Sequence, residues 1–277
     1  MGNRLHLPDV TLCCVDTRDP ELALFALRKS MQKVSFGKVL LLGSGLQGRP
    51  LDDGVLFQEI QPLKSVDEYS RFMLKHLSAY IETPFVLVVQ WDGYVVHPEM
   101  WCDEFLKYDY IGAPWWSKND PKGVGNGGFS LRSKRLLDAL AELDAPTEPE
   151  DVAICVSLRP ELERRFDVSF APLSVAQLFS VEYGPYRPAF GFHGMHLFAR
   201  EMMSTELLSW LSLASPAILR SKHARKLFKE LLDVGAWSVA SDLLSRQVRV
   251  AGWSFDQVAL HARLLYRWAL AKVCRRA

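Results

Sequence analysis

Phe85-Val86-Leu87-Val88-Val89-Gln90-Trp91-Asp92-Gly93 is the stretch that decides the fold. An unbroken apolar run of strand length, closed by a polar turn, describes a strand buried on both faces. Burial on both faces is the mark of a mainly parallel sheet covered by helices. In such open sheets ligands bind just beyond the carboxyl ends of the strands. Asp92 therefore stands where a working carboxylate would, although an aspartate that merely caps a turn with Gly93 has the same sequence.

The pattern repeats on the N-terminal side. Val10-Thr-Leu-Cys-Cys-Val15 and Lys38-Val-Leu-Leu-Leu-Gly43 read as two more buried strands, and Glu21–Gln32 and Val66–Ile81 read as helices between them. Alternating strands and helices make an α/β domain. Farther on, Gly112–Gly128 holds two prolines, five glycines and the Trp115-Trp116 pair, which suits an ordered irregular loop. Leu131–Leu143 and Asp151–Leu158 return to helical spacing, and Tyr183-Gly-Pro-Tyr-Arg-Pro188 is a rigid loop leading to Phe190-Gly-Phe-His-Gly194. From Ser204 onward the pattern is helical throughout. The expected organisation is an α/β domain over 1–203 and a basic helical region over 204–277.

Composition narrows the function classes. The 277 residues are 49% hydrophobic and 23% charged, ordinary values for a globular protein. With 33 basic against 32 acidic residues, a whole-chain electrostatic grip on nucleic acid is not expected. The near-neutral total is unevenly divided. From Pro216 on there are 12 Lys+Arg against 4 Asp+Glu, and the residues before it carry 21 against 28. Five scattered cysteines without a Cys-x-x-Cys pair argue against a disulfide scaffold or a thiolate zinc site, and for a reducing compartment. The N-terminal Met1–His6 lacks a signal-peptide stretch, His6 breaks the myristoylation pattern, and no apolar run approaches membrane-spanning length. The expected location is the cytoplasm.

Gly123-Val-Gly-Asn-Gly-Gly128 has the form G-x-G-x-x-G, yet no strand leads directly into it and Phe129 follows where a P-loop needs lysine. A nicotinamide enzyme is thus the weaker reading. Asn126-Gly-Gly-Phe-Ser130, ahead of the helix read over Leu131–Leu143, is either a flexible loop or a segment that lets a ligand approach backbone amides closely. Glu150-Asp151 at a helix start is either an N-terminal cap or a general base. His193 is either a structural histidine or, with Asp92, part of an oxygen/nitrogen site for Mn²⁺ or Mg²⁺.

Taken together, Gln90-Trp-Asp-Gly-Tyr-Val, Tyr110-Ile-Gly-Ala-Pro-Trp, Gly125-Asn-Gly-Gly-Phe-Ser-Leu-Arg, Glu150-Asp151 and Phe190-Gly-Phe-His-Gly resemble a bacterial and fungal family catalogued as a domain of unknown function. That family is similar to GT-A-fold glycosyltransferases, and the likeness covers about residues 10–200. The order of motifs also resembles fringe-like and β-1,3-galactosyltransferases. The resemblance implies a GT-A-like mixed, mainly parallel sheet and a nucleotide-sugar donor, a UDP-sugar first. It implies a carbohydrate or other hydroxyl acceptor and a single inverting displacement. By motif, Asp92 resembles the last aspartate of D-x-D and Asp151 the base, with Glu150 orienting it. His193 resembles the late metal ligand, and Gly127 and Gly128, beside Asn126, the sugar-lining segment. Gln90 departs from the pattern, standing where the first aspartate would be. Thr17 and Arg18, with Ser70 and Arg71, occupy positions that meet the nucleotide, and Trp115 and Trp116 are either a stacking surface for a sugar or ordinary core packing. A non-catalytic carbohydrate-binding or scaffold protein on the same fold is the rival reading. For the basic tail, the readings are an amphipathic contact with the inner face of a membrane, a helical bundle, and an oligomer contact.

Overall fold

The computed structural model describes residues 4–46, 51, 53–115, 123–144 and 146–274. The chain forms two compact units, Met1–His193 and Gly194–Ala277. The first begins with β1 (Leu5–Asp16), α1 (Pro20–Lys33), β2 (Val34–Gly43), β3 (Val55–Glu59), α2 (Val66–Lys75) and β4 (Phe85–Val89). It continues through β5 (Tyr110–Gly112), β6 (Phe129–Ser133), α3 (Lys134–Glu142), α4 (Glu150–Val152), α5 (Arg159–Phe166) and α6 (Leu173–Phe179). It ends with the two-residue strands β7 (Ser180–Val181) and β8 (Gly191–Phe192).

Six strands form one sheet in the order β3-β2-β1-β4-β6-β5. Pairings among β1, β2, β3 and β4 are parallel. Only β6 is reversed, running antiparallel to both β4 and β5. The fold is therefore the expected α/β class, a mixed and mainly parallel sheet flanked by helices. The apolar runs follow from burial on both sides. Leu12, Cys14, Leu41, Leu87 and Val89 enter one core cluster, while Cys13, Val15, Leu40, Leu42, Val86 and Val88 enter another with Phe72, Met73 and Leu77. Cys13 and Cys14 are buried in β1, and burial pushes the Cys13 thiol up to about 12, so it acts as a small hydrophobe.

Two expected helices need correction. Residues 131–133, read as the start of a helix, are the end of β6, and the helix starts at Lys134 behind Ser133, whose Oγ accepts from Leu136 N at 3.0 Å. The helix expected over Val66–Ile81 stops at Lys75 and gives way to a 3₁₀ turn, Leu77–Tyr80.

Asp109, just ahead of β5, fastens the end of the sheet. Its Oδ1 accepts from Ser133 Oγ at 2.6 Å and Arg135 Nε at 3.1 Å, and its Oδ2 from Ser169 N at 2.8 Å and Ser169 Oγ at 2.9 Å. Burial disfavours the charge, but the Arg135, Ser133 and Ser169 donors outweigh it and hold the carboxyl below its ordinary range. A depressed acid stabilises the fold above its unfolded pKa of about 3.9, and that stabilisation is lost as pH falls through the folded value. Asp109→Asn should therefore lower the urea midpoint at about pH 7 and lose less further stability at about pH 3 than the parent. Equal acid losses in the two proteins would remove this role from Asp109.

The second unit is helical: α7 (Phe198–Glu201), α8 (Ser204–Leu213), α9 (Pro216–Leu219), α10 (Lys222–Asp233), α11 (Trp237–Ala251) and α12 (Phe255–Cys274). Trp210, Leu227, Phe228, Leu231 and Leu243 form its buried interior. Among the described residues, no helix is long and apolar enough to cross a membrane.

Candidate active site

β4 ends at Val89, and the chain turns at once, Gly93 N donating to Gln90 O at 3.0 Å. The turn sets Gln90 and Asp92 beyond the carboxyl edge of the sheet. The short pair of β7 and β8 supplies Glu182 and His193, the next residues after each strand, and His193 N donates to Val181 O at 3.0 Å. Gly93 permits this approach, because a Cβ there would lie 2.6 Å from Phe192 O.

The His193 ring joins these elements. Its Nε2 lies 3.2 Å from Asp92 Oδ1 and 3.2 Å from Gln90 Oε1, and its Nδ1 lies 3.2 Å from Glu182 Oε1. Burial works against a charged ring, but Asp92 and Glu182 outweigh it and hold the His193 pKa well above the ordinary value. Gln90 Nε2 donates to Tyr69 Oη at 3.0 Å, so this amide is held from both sides.

The glycine loop closes over the ring. Asn126, with φ +24°, accepts from Gly128 N at 3.2 Å and Phe129 N at 3.3 Å through Oδ1, and donates through Nδ2 to Glu182 Oε2 at 2.6 Å. The loop leads into β6, not into a helix. This corrects the expected helix N-terminus behind Asn126-Gly-Gly, and it removes the strand–turn–helix setting that a dinucleotide fingerprint requires. Gly128 lies flat against His193, where a Cβ would fall 2.3 Å from Nε2. Gly128→Ala should displace the ring and destabilise the fold by about 1–3 kcal/mol, as overpacking does. An unchanged denaturation midpoint would contradict that contact.

A second set of groups lies beneath Gly127. Arg132 is fully buried in β6; its Nη2 donates to Glu150 Oε1 at 3.1 Å and Gly127 O at 3.3 Å, and its Nε to Ser130 Oγ at 3.0 Å. Its guanidinium lies 5.7 Å from the centre of the Tyr110 ring. Burial pushes the Glu150 carboxyl above its ordinary value; Arg132 counters the rise and Asp151 adds to it. Ser70 Oγ accepts from Glu150 N at 3.2 Å. Asp151 differs from its neighbour in being half-buried and unattached to Arg132. Its Oδ1 accepts from Val152 N at 2.9 Å and its Oδ2 from Gly127 N at 3.4 Å. The following Ala153–Ser157 turn is a π-helix, a wide turn frequent at functional sites.

Eight of the residues singled out in the sequence thus meet in one contact network: Gln90, Asp92, Asn126, Gly127, Gly128, Glu150, Asp151 and His193, with Ser70 at its edge. The others have separate surroundings. Thr17 Oγ1 accepts from Leu63 N at 2.9 Å and Arg18 Nη2 donates to Lys64 O at 2.6 Å, tying the end of β1 to that segment. Arg71 is exposed on α2. Trp115 is half-buried and packs on the core, its indole against Gly125, while Trp116 lies outside the described residues. Sequence reading missed Tyr69, Tyr110, Arg132 and Glu182. An arginine at the end of the Gly125–Arg132 motif and an acid between Val181 and Tyr183 were the signals available for the last two.

The donor set bears on metal binding. Cis ligands of an octahedral ion with bonds of ~2.1 Å stand ~3.0 Å apart. The 3.2 Å separations of Asp92 Oδ1 and Gln90 Oε1 from His193 Nε2 are also those of hydrogen bonds, and a ring held cationic by Asp92 and Glu182 carries the Nε2 proton that an ion would have to replace. Glu182 meets the opposite ring nitrogen, and among the described residues no three His, Cys, Asp or Glu side chains are grouped to hold an ion.

Residues 54–193 match the family described as Protein of unknown function (DUF5672). No curated protein matches the chain. Among solved structures, the chain is similar to the mannosyltransferase PcManGT from Pyrobaculum calidifontis in complex with GDP-Man and Mn²⁺. That likeness has 12% identity and a TM-score of 0.40, covering 94% of this chain and 81% of that one. It is also similar to the apo-form glycosyltransferase GlyE of Streptococcus pneumoniae TIGR4, at 12% identity and a TM-score of 0.40, covering 89% of this chain and 64% of that one.

Proposed function

The chain belongs to the DUF5672 family of proteins of unknown function, and for it we propose the transfer of a sugar from a nucleotide-sugar donor, a UDP-sugar first among them, to an acceptor hydroxyl. The observation that carries this reading is the convergence of Asp92, Gly127, Gly128, Asp151 and His193 at the carboxyl edge of β4. Each comes from a motif that resembles its counterpart in GT-A-type hexosyltransferases.

In the proposed reaction, Asp151 takes the proton of the acceptor hydroxyl while that oxygen attacks the anomeric carbon. The bond from that carbon to the diphosphate oxygen breaks with its electron pair on the leaving group, and the product configuration is inverted. Glu150, engaged by Arg132, orients its neighbour and takes no proton from the acceptor. Gly127 and Gly128 yield their side-chain space to Glu150 and His193, which sets both groups against the loop, and Asn126 fixes the loop's conformation. Thr17, Arg18 and Arg71 are assigned to the nucleotide by the resemblance alone, whereas Ser70, buried and accepting from Glu150 N, supports the helix that carries the base. Asp92 and His193, with the Gln90 amide oxygen beside them, are the residues that would hold a divalent cation, Mn²⁺ or Mg²⁺, in exchange for the Nε2 proton of His193. When bound, it supplies positive charge against the diphosphate.

A panel of nucleotide sugars, with and without Mn²⁺, tests the reading by thermal shift and by donor hydrolysis. Stabilisation and turnover by one donor class are expected. Failure of every nucleotide sugar under both conditions ends the glycosyltransferase reading. Turnover with retained anomeric configuration would remove the inverting mechanism and the base role of Asp151.

A further inference from the structure

The apolar stripe of α12 does not all point inward. Half-buried or buried positions recur as Gln257, Leu260, Leu264, Arg267 and Ala271, a single inward seam at spacings of three and four. The remaining turns expose Phe255, Val258, Leu265, Tyr266 and Leu270, with Ala259, Ala262 and Ala269 between them and His261 and Trp268 along one flank. Phe255 is 97% exposed, Tyr266 64%, and Trp253, just before the helix, 61%. An exposed face of this composition on one helix is a binding surface or a liability.

The charge around the face selects the occupant. Arg263 is exposed on the margin of the apolar arc, and Arg249 is exposed near the end of α11. The chain from Pro216 on carries 12 Lys+Arg against 4 Asp+Glu. A second copy of this chain would bring like charges together around the apolar contact, whereas an anionic bilayer meets them with opposite charge. Tryptophan and tyrosine also favour the headgroup level of a membrane.

We propose that α12 is an in-plane membrane-binding helix, seating Phe255, Val258, Leu265 and Leu270 among the acyl chains of an anionic bilayer, with Tyr266 and Arg263 at the headgroups. Trp253, edge-on to His261 with ring centres 5.8 Å apart, lies at the headgroup level beside the start of the helix. The helix lies on the surface and does not cross it, in keeping with its mixed apolar and basic composition.

Flotation of the full chain with vesicles tests this. Binding is expected to phosphatidylcholine vesicles holding about a third phosphatidylglycerol, and binding at least about tenfold weaker is expected to pure phosphatidylcholine. The double variant Phe255→Ser/Tyr266→Ser should lose at least about tenfold in affinity for the anionic vesicles while keeping the parent's circular dichroism. Arg263→Glu should weaken binding severalfold, and raised salt should weaken that of the parent. The proposal is overturned by absence of binding to the anionic vesicles, by equal binding to both kinds, or by undiminished binding of the folded double variant. A dimer in sedimentation that the double variant abolishes would assign the face to a second copy instead.

Discussion

Asp151→Asn is expected to lower the transfer rate by about 10²–10⁴-fold, the range that removal of a positioned general base produces. The substitution keeps an oxygen able to accept from Val152 N, as Asp151 Oδ1 does at 2.9 Å, so the local turn should persist. The loss should therefore appear in kcat, with the donor's KM and its thermal shift near those of the parent. Glu150→Gln separates the two acids. Because Glu150 is committed to Arg132 at 3.1 Å, its neutralisation should act first on stability. If Asp151→Asn retains more than about a tenth of the parental rate, the base lies elsewhere. If the donor binds but neither protein turns it over, the non-catalytic carbohydrate-binding reading takes precedence.

Arg132→Met should be among the most destabilising single changes in the chain. Truncating the partner of a buried ion pair leaves an uncompensated charge and typically costs ~3–5 kcal/mol. Here the orphan would be Glu150, only 6% exposed, and Gly127 O and Ser130 Oγ would each lose a donor as well. Adding Glu150→Gln to Arg132→Met removes the stranded charge, so the double variant should recover a large part of the loss. Urea denaturation of the four proteins in this cycle measures the coupling directly. Additive effects would mean that the pair does not carry the stability of this region.

Legibility from sequence followed burial. β1, β2 and β4 were readable because both faces of each meet a core, which leaves an uninterrupted apolar run. β3, with exposed and half-buried residues alternating after Val55, and β5, three residues long, gave no such run. β6 was misread because its Phe129-Ser-Leu-Arg-Ser133 sequence has no apolar run, and Lys134 and Arg135 lead straight from it into the stripe of Leu136, Leu137 and Leu140. Within the site, the residues delivered by short motifs at strand ends were found: Asp92, Asn126, Glu150, Asp151 and His193. Arg132 and Glu182 were not, since each derives its importance from a partner more than 10 residues away in the chain. Local spacing carries no information about such pairings. Only the fold brings Glu182 to His193 and Glu150 to Arg132.

The lengths of the sheet strands have one more consequence. β1 and β2 are 12 and 10 residues long, whereas β3 and β5 at the two margins are 5 and 3. A margin that short offers an incoming strand few amides and carbonyls, Tyr110 of β5 is already bridged to residues 169–171, and Pro114, two residues beyond β5, denies another donor. The long pairing surfaces are interior and already satisfied. The sheet thus carries its own protection against edge-to-edge polymerisation, built from the brevity of its outermost strands and independent of any chemistry at the carboxyl edge.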